Sequence, residues 1–239
     1  NYIRRLDASL GVAASRAAGS DSFFEALARG PGDTFYAAMK TWSGGQGLKI
    51  WQLDSTLAVL STATYPLQVD FSQNIEARVR GLARDGSGNL YTMASKGPQH
   101  LLFKYASDNL AATPSVVDIS EHVPGDIDEQ DLSLTCDLSG NVYLSFKDKQ
   151  AFPIAGRILK FDSSLSFAGS VENTDLSGGL GFPSVETDSD GSLYAGWVSA
   201  AGDYLVQRYD TNLTLISSQT FDSGLGKFDG VAGISVVDS

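Results

Sequence analysis

The sequence has little cysteine, histidine or methionine, and it lacks a long apolar run. Its 239 residues include one cysteine, two histidines and two methionines. A single cysteine, Cys136, permits no disulfide within the chain. Two histidines, His100 and His122, are too few for a zinc site built from several histidines or for repeated Ser-His-Asp groups. No apolar run reaches the roughly 20 residues that a membrane-spanning helix needs. We therefore predict no metal, no cofactor and no membrane insertion.

Basic residues are also scarce. The chain has 17 Lys and Arg against 28 Asp and Glu, which gives a formal net charge of −11 at pH 7. Proteins that bind nucleic acids or anionic membranes depend on clustered Lys and Arg, so we expect neither partner. Low cysteine and lysine content with abundant glycine, serine, threonine and aspartate is typical of exported proteins. We therefore expect an extracellular, periplasmic or surface-associated location.

What the sequence has instead is a repeated motif. It reads: an apolar stretch, a basic or amide residue, Leu or an aromatic residue, Asp, two small polar residues, and Leu. The copies occupy residues 2–10, 50–57, 102–110, 158–165 and 206–213. The third copy is imperfect, because Ala106 replaces the Asp and one residue is inserted. A period of about 50 residues indicates an array of one supersecondary unit.

A second motif has the same period. It reads Asp, two variable residues, Gly, Asn or Ser, an apolar residue and Tyr. Clear copies begin at Asp85, Asp137 and Asp188, and residues 32–36 are a degenerate copy. Glycine and asparagine accept the positive φ of tight hairpin turns. Each copy therefore predicts a hairpin between two short apolar strands.

The two motifs together define a four-stranded unit. The Asp-x-x-Leu segment ends a third strand, where we expect the Asp carboxylate to accept backbone N–H groups two or three residues on. A weaker fourth apolar run follows. Four short antiparallel strands per repeat is the plan of a β-propeller blade. The motif pair resembles the bacterial β-propeller repeats, including the NHL type. That resemblance implies a fold and no activity, since such families include binding modules, scaffolds and enzymes.

Counting the units predicts an all-β, five-bladed β-propeller of four-stranded antiparallel blades. The complete blades are expected at about 23–64, 77–117, 130–172 and 182–220. The ends are complementary: residues 2–18 supply a third and a fourth strand, and residues 230–238 supply a first strand. Closing the ring with strands from both ends removes an exposed sheet edge. We predict one domain over 1–239, in which the closing blade has three strands or the chain lacks residues at an end.

The Asp-Gly turns also look like fragments of calcium-binding loops. An EF-type loop needs a bidentate Glu at its twelfth position. The residues found there are Lys96, Asp148 and Ser199. Turn chemistry explains these segments better, so we predict that they are structural and bind no calcium.

The candidate binding residues lie in loops predicted to share one propeller face. These loops join the second strand to the third, or the fourth strand to the next blade. Long loops of mixed charge are where binding residues usually lie. A tryptophan between glycine-rich flanks is expected to be exposed, where it could stack on a sugar or anchor an interface. The candidates are Trp42, Lys147, His122, Asp126, Asp128 and Asp131. His100 is expected at the surface, whereas Cys136 and Trp51 are expected in the core.

These features predict a non-enzymatic binding or assembly module at a cell or virus surface. The expected partner is a protein or a glycan, and self-assembly is possible. One alternative is a carbohydrate-active enzyme with Asp131 and Asp229 at the propeller mouth. Glycoside hydrolysis needs two carboxyl groups about 5 to 9.5 Å apart. Another alternative is a structural subunit of a larger assembly.

Overall fold

The fold was examined in a computed structural model of the 239-residue chain. The structure describes residues 2–20, 22–41, 47–67, 77–96, 98–106, 109–123, 132–148, 151, 155–174, 183–199 and 201–222. Over these residues the secondary structure is entirely β-strand and turn. Within the same ranges, no helix has the length and apolarity needed to cross a membrane.

The chain separates into two compact units. The first contains residues 1–84 and 88–119, and the second contains residues 85–87 and 120–239. The sequence-based prediction of one domain spanning 1–239 stays a prediction. Each unit is built from antiparallel sheets whose strands follow one another in chain order.

The first unit contains a two-stranded sheet and two four-stranded sheets. The two-stranded sheet consists of β1 (Tyr2–Leu6) and β2 (Val12–Ala17). The next sheet consists of β3 (Ser22–Arg29), β4 (Phe35–Thr41), β5 (Gly47–Leu53) and β6 (Val59–Pro66). The third consists of β7 (Ala77–Arg84), β8 (Leu90–Lys96), β9 (Gln99–Tyr105) and β10 (Ser115–Asp118). The first strands of the two four-stranded sheets, β3 and β7, lie against each other.

The second unit contains two four-stranded sheets. One consists of β11 (Leu132–Cys136), β12 (Val142–Asp148), β13 (Ala155–Phe161) and β14 (Phe167–Asn173). The other consists of β15 (Ser184–Thr187), β16 (Leu193–Val198), β17 (Tyr204–Tyr209) and β18 (Leu215–Phe221). Their first strands, β11 and β15, lie side by side. The predicted strands of the four complete repeats are therefore confirmed, and the predicted strand at 230–238 lies outside the described residues.

Each predicted Asp turn forms a five-residue connection held by its own carboxylate. In the copy at Asp137, the carboxylate accepts the backbone N–H groups of Ser139 at 3.0 Å and Asn141 at 2.9 Å. The Asp162 carboxylate accepts those of Ser164 at 2.8 Å and Ser166 at 3.0 Å. The acceptor role is confirmed, but the donors lie two and four residues on rather than two or three. A β-turn followed by a bulge directs the backbone N–H of the residue four positions after the Asp toward the carboxylate.

The fourth residue of these turns adopts a left-handed backbone in both motifs. In the first-to-second hairpins it is glycine, with φ of 85° at Gly140 and 81° at Gly191. In the third-to-fourth hairpins it is leucine, with φ of 65° at Leu57, 67° at Leu165 and 63° at Leu213. A left-handed conformation costs a residue with a side chain about 1–2 kcal/mol. Each of these leucines is buried, so apolar burial offsets that strain.

The basic residue of one motif stacks on the tyrosine of the other. Tyr91 pairs across the strands with Lys104, Tyr143 with Lys160, and Tyr194 with Arg208. In each pair the cation lies 5.6–5.8 Å from the ring centre, within the range of a cation–π interaction. In three of the four four-stranded sheets the two motifs therefore recur together because they form one cross-strand contact, whereas Tyr36 pairs with Gln52 in the β3–β6 sheet.

Candidate functional site

Every four-stranded sheet has two dissimilar ends. We call the end with the first-to-second hairpins the turn end, and the opposite end the loop end. All four first-to-second connections have five residues, whereas the second-to-third connections range from two to six. The connections from a fourth strand to the next first strand also start at the loop end, and they are longer still. The first-to-second hairpins are thus constant in length, and most of the length variation between repeats lies at the loop end; the exception is the nine-residue connection between β9 and β10 at the turn end.

The loop end of the first unit contains a half-buried charge cluster. Glu25 is the extra residue of a bulge in β3, because Phe24 and Ala26 pair with consecutive residues of β4. Its carboxylate lies 3.7 Å from Lys40 Nζ and 3.6 Å from Arg80 Nη1. Arg80 precedes a second bulge, at Gly81 in β7. Bulges reorient side chains beside functional sites, and here two of them place opposite charges between the first strands of adjacent sheets.

The loop end of the second unit also contains an ion-pair network. Arg157 Nε lies 3.0 Å from the buried carboxylate of Asp148, and its Nη2 lies 3.3 Å from Glu172. Asp148 also accepts the backbone N–H of Ala151 at 3.1 Å. This network fixes the start of the connection between β12 and β13.

Lys147 does not occupy the position that its loop assignment predicted. It is part of β12, pairs with Gly156 and is only 9% exposed. The strand continues two residues further than its apolar run indicated, so the side chain packs within the sheet. The prediction that Lys147 lies in an exposed loop is therefore wrong.

His122 lies apart from Lys147. Its ring stacks on Phe167, with centroids 4.0 Å apart, and it makes an edge contact with Phe161 at 6.0 Å. Phe161 pairs with Val142, the first residue of β12, which places this contact at the turn end of the sheet. The predicted grouping of His122 and Lys147 on one face is therefore wrong. The connection from β10 to β11 is assigned to the loop end because it joins a fourth strand to a first strand. Packing against Phe161 and Phe167 instead holds the His122 side chain at the turn end. Glu121 lies 3.2 Å from His122 Nε2.

The other predicted positions divide into three outcomes. His100 was expected at the surface but is 1% exposed in β9, so that expectation is wrong. Trp51 and Cys136 are buried, as predicted. Five candidates lie outside the described residues: Trp42, Asp126, Asp128, Asp131 and Asp229. Their binding and catalytic roles remain predictions, as do those of His122 and Lys147.

The structure adds a carboxyl group that the sequence did not single out. Glu186 lies in β15, where Thr187 Oγ1 donates to the carbonyl oxygen of Cys136 in β11 at 3.0 Å. Burial raises the pKa of Glu186, and hydrogen bonds from the Thr187 backbone and the Thr135 side chain partly oppose that rise. An acidic residue within a short strand of the repeat was the available signal. Its environment depends on the pairing of two sheets and is not visible in the sequence.

Glu186→Gln is expected to stabilise the protein at neutral pH. Because the pKa of Glu186 is higher in the folded state than in the unfolded state, the protonated carboxyl favours folding. The stability that the protonated carboxyl contributes at low pH is lost as the pH rises through the folded-state pKa. The carboxyl is only partly buried, and solvent screening keeps the effect small. We expect a melting temperature about 2 °C higher at pH 7 and no gain near pH 4.

Thermal melts over this pH range would check the prediction. Glu172→Gln is the matched control, because Glu172 is a more exposed carboxylate paired with Arg157. That variant should show no gain at pH 7. An equal gain from both variants would mean that general charge reduction, rather than burial of Glu186, stabilises the protein.

Across the part of the chain that the structure describes, no three His, Cys, Asp or Glu side chains form a group able to hold a metal ion. The turn carboxylates are instead used by their own backbones. The Asp137 carboxylate also accepts the side-chain N–H of Asn141 at 2.7 Å and the Tyr143 hydroxyl at 3.2 Å. Burial, with the nearby Asp137 carboxylate, raises the pKa of Tyr143.

Comparison with known proteins identifies similar folds and no family. No protein-family model matches the chain, and no curated protein matches it in sequence. A protein of unknown function from Bacteroides caccae is similar with a TM-score of 0.62 at 11% identity, over 95% of this chain and 77% of that one. The Synechocystis apocarotenoid oxygenase has a TM-score of 0.50 at 11% identity, over 91% of this chain and 55% of that one.

A neuraminidase-like protein from A/bat/Guatemala/164/2009 also has a TM-score of 0.50, at 9% identity, over 84% of this chain and 54% of that one. The oxygenase and the neuraminidase-like protein are propeller-type folds. The chain spans little more than half the length of these two structures. At such identities the likeness concerns the fold alone, which agrees with the repeated four-stranded antiparallel sheets.

Proposed function

We propose that this chain is a five-bladed β-propeller that works as a non-enzymatic binding module at a cell or virus surface. Its partner is a protein or a glycan. The fifth blade consists of β1, β2 and the predicted strand at 230–238. The repeated sheets and the similarity to propeller-type structures support the fold.

The observation that carries the binding role is the contrast between the two ends of each sheet. All four first-to-second connections at the turn end have five residues, and in three of them the Asp85, Asp137 or Asp188 carboxylate accepts a backbone N–H of its own turn. At the loop end, the second-to-third connections range from two to six residues, and the connections from a fourth strand to the next first strand range from 10 to 13. Longer connections of varied length on a regular scaffold are where recognition residues usually lie.

The charges of the loop end support the same proposal. Glu25, Lys40 and Arg80 in the first unit are half-buried, as is Arg157 in the second. Half-buried charges give directional contacts and discriminate between partners more than they add affinity. In the proposal, the loop-end candidates are Trp42 in the first unit and Asp126, Asp128 and Asp131 in the second.

Trp42→Ala and the double variant Asp128→Ala/Asp131→Ala are expected to abolish partner binding without unfolding the protein. A glycan array and light scattering after gel filtration would detect a glycan ligand and self-association, respectively. Ser87→Ala, in a turn-end hairpin, is the control and should bind like the wild type. Binding that survives both loop-end variants, and that no substitution at the turn end removes, would contradict the proposal.

The same preparation should be screened with aryl glycosides. Turnover that disappears in Asp131→Ala or Asp229→Ala would favour the carbohydrate-active enzyme over the binding module. No turnover together with loop-dependent binding is the expected result.

Assembly into a larger structure is a second candidate, favoured by the outer strand of the second unit. Every residue of β18 is exposed, including Leu215 at 49%, Ile216 at 52% and Phe221 at 45%. An exposed edge strand of seven residues, three of them apolar, is a template for pairing with another chain. Concentration-dependent mass in the light-scattering experiment, lost in Ile216→Lys, would support this use of the edge.

A further inference from the structure

A polar groove lies within the second unit, between the turn ends of its two sheets. Its volume is about 320 Å³. One wall is the Asp137–Asn141 turn between β11 and β12, and the other is the Asp188–Ser192 turn between β15 and β16. Lys160 and Thr211 complete the lining. The volume is at the lower end of the range of small-molecule sites, which is about 300–1,000 Å³.

The walls of this groove are rigid. The Asp137 carboxylate holds its turn through two backbone N–H groups and the Asn141 side chain, and the Asp188 carboxylate holds the opposite turn through two backbone N–H groups. Lys160 Nζ donates to the carbonyl oxygen of Thr211 and lies 5.8 Å from the centre of the Tyr143 ring. A ligand would therefore meet polar groups that are already oriented, which lowers the entropic cost of binding.

Two groove residues are not required by the turns that carry them. The turn needs Asp at its first position and Gly at its fourth, while the two positions between them vary. In the turn at Asp85 these are Gly86 and Ser87. In the two turns that line the groove, the variable positions include Leu138, which is 59% exposed, and Asp190, which is exposed. An exposed leucine and an extra carboxylate thus face one groove at positions where the Asp85 turn carries neither.

The available hydrogen-bonding groups are suited to a ligand with several hydroxyls. A carboxylate such as Asp190 accepts hydrogen bonds from two adjacent hydroxyls, and an amide such as Asn141 both donates and accepts. An ammonium has three N–H donors, of which the structure directs one from Lys160 to Thr211. The carboxylate disfavours an anion, and the polar lining disfavours an apolar ligand, because buried polar groups would lose their hydrogen bonds.

We propose that this groove binds one ring of a saccharide. Asp190 accepts hydrogen bonds from adjacent hydroxyls of the sugar ring, and Lys160 and Asn141 donate hydrogen bonds to sugar oxygens. Leu138 packs against a C–H face of the ring. The site is at the turn end, where the sequence predicts no binding. It is separate from the loop-end surface of the proposed function.

The test measures binding of free sugars by saturation-transfer NMR. The probes are glucose, galactose, mannose and N-acetylglucosamine, each at about 10 mM to detect millimolar dissociation constants. Asp190→Ser and Leu138→Gly introduce residues that the Asp85 turn already carries, so both turns should fold normally. We expect at least one sugar to bind the wild type and each variant to weaken that binding about tenfold or more, equivalent to about 1.4 kcal/mol.

Asp33→Ser is the matched control, because it removes an exposed Asp from the corresponding turn of another sheet. It should leave binding unchanged, and thermal melts should show that all variants fold. No sugar binding to the wild type, or binding unaffected by Asp190→Ser and Leu138→Gly, would overturn the groove. Binding that is lost in Trp42→Ala but kept in Asp190→Ser would place the sugar at the loop end. That result would contradict the proposed groove site and support the proposed function.

Discussion

Removal of residues 223–239 is expected to lower the melting temperature by about 10 °C. Among the described strands, β1 pairs only with β2, and an isolated two-stranded sheet is marginally stable. Leu6 is 50% exposed and Val12 is 55% exposed, so this sheet has apolar surface left to cover. Burying three apolar residues of the predicted strand at 230–238 contributes about 5 kcal/mol. For a chain of this length, 1 kcal/mol corresponds to about 2–4 °C.

Differential scanning calorimetry of the truncated chain would measure this loss. A synthetic peptide of residues 223–239 should restore the melting temperature when added in excess, whereas a scrambled peptide should not. An unchanged melting temperature after truncation would show that the C-terminal residues do not close a blade. The five-blade count would then have to be abandoned.

Glycine in place of the turn leucine is expected to have opposite effects at two copies of the motif. Leu165 is 1% exposed with φ of 67°, and Leu10 is 77% exposed with φ of 64°. Both substitutions relieve about 1–2 kcal/mol of left-handed strain. At Leu165 the loss of a buried side chain costs about 2–5 kcal/mol, so Leu165→Gly should destabilise by about 2 kcal/mol. At Leu10 little burial is lost, so Leu10→Gly should stabilise by about 0.5 kcal/mol.

Urea unfolding of the two variants beside the wild type would measure both changes. Leu57→Gly serves as a second buried copy, because Leu57 is 4% exposed with φ of 65°. It should behave like Leu165→Gly. Stabilisation by both Leu165→Gly and Leu57→Gly would show that strain outweighs burial and that leucine is retained there for another reason.

The strand plan of the repeats could be predicted from the sequence because it depends on local chemistry. The Asp and Gly of the turn at Asp137 fix a hairpin of five residues, and alternating apolar residues define the strands beside it. The predicted unit at 130–172 therefore agrees closely with β11–β14. The coupling of Tyr143 with Lys160 was not predicted, because it requires the register between two strands.

The candidate site was predicted less well. The sequence alone groups His122 with Lys147, because both are assigned to loops on one propeller face. In the structure, a ring contact with Phe167 holds His122 at the turn end, and strand pairing buries Lys147. The surroundings of a side chain are set by neighbouring strands and sheets, which a single sequence does not specify. The charge cluster at Glu25 was missed for the same reason, since a bulge in β3 brings it to Arg80 of the next sheet.

The sequence by itself determined where this protein turns, how many complete repeats it has and which residues hold each hairpin. These features depend on contacts within a few residues, such as the hydrogen bonds from Ser164 and Ser166 to Asp162. Only the tertiary structure decided which polar groups meet across sheets: Glu25 with Arg80, Thr187 with Cys136, and Lys160 with Thr211. Those contacts join residues more than 50 positions apart, and their geometry follows from how the sheets pack against one another.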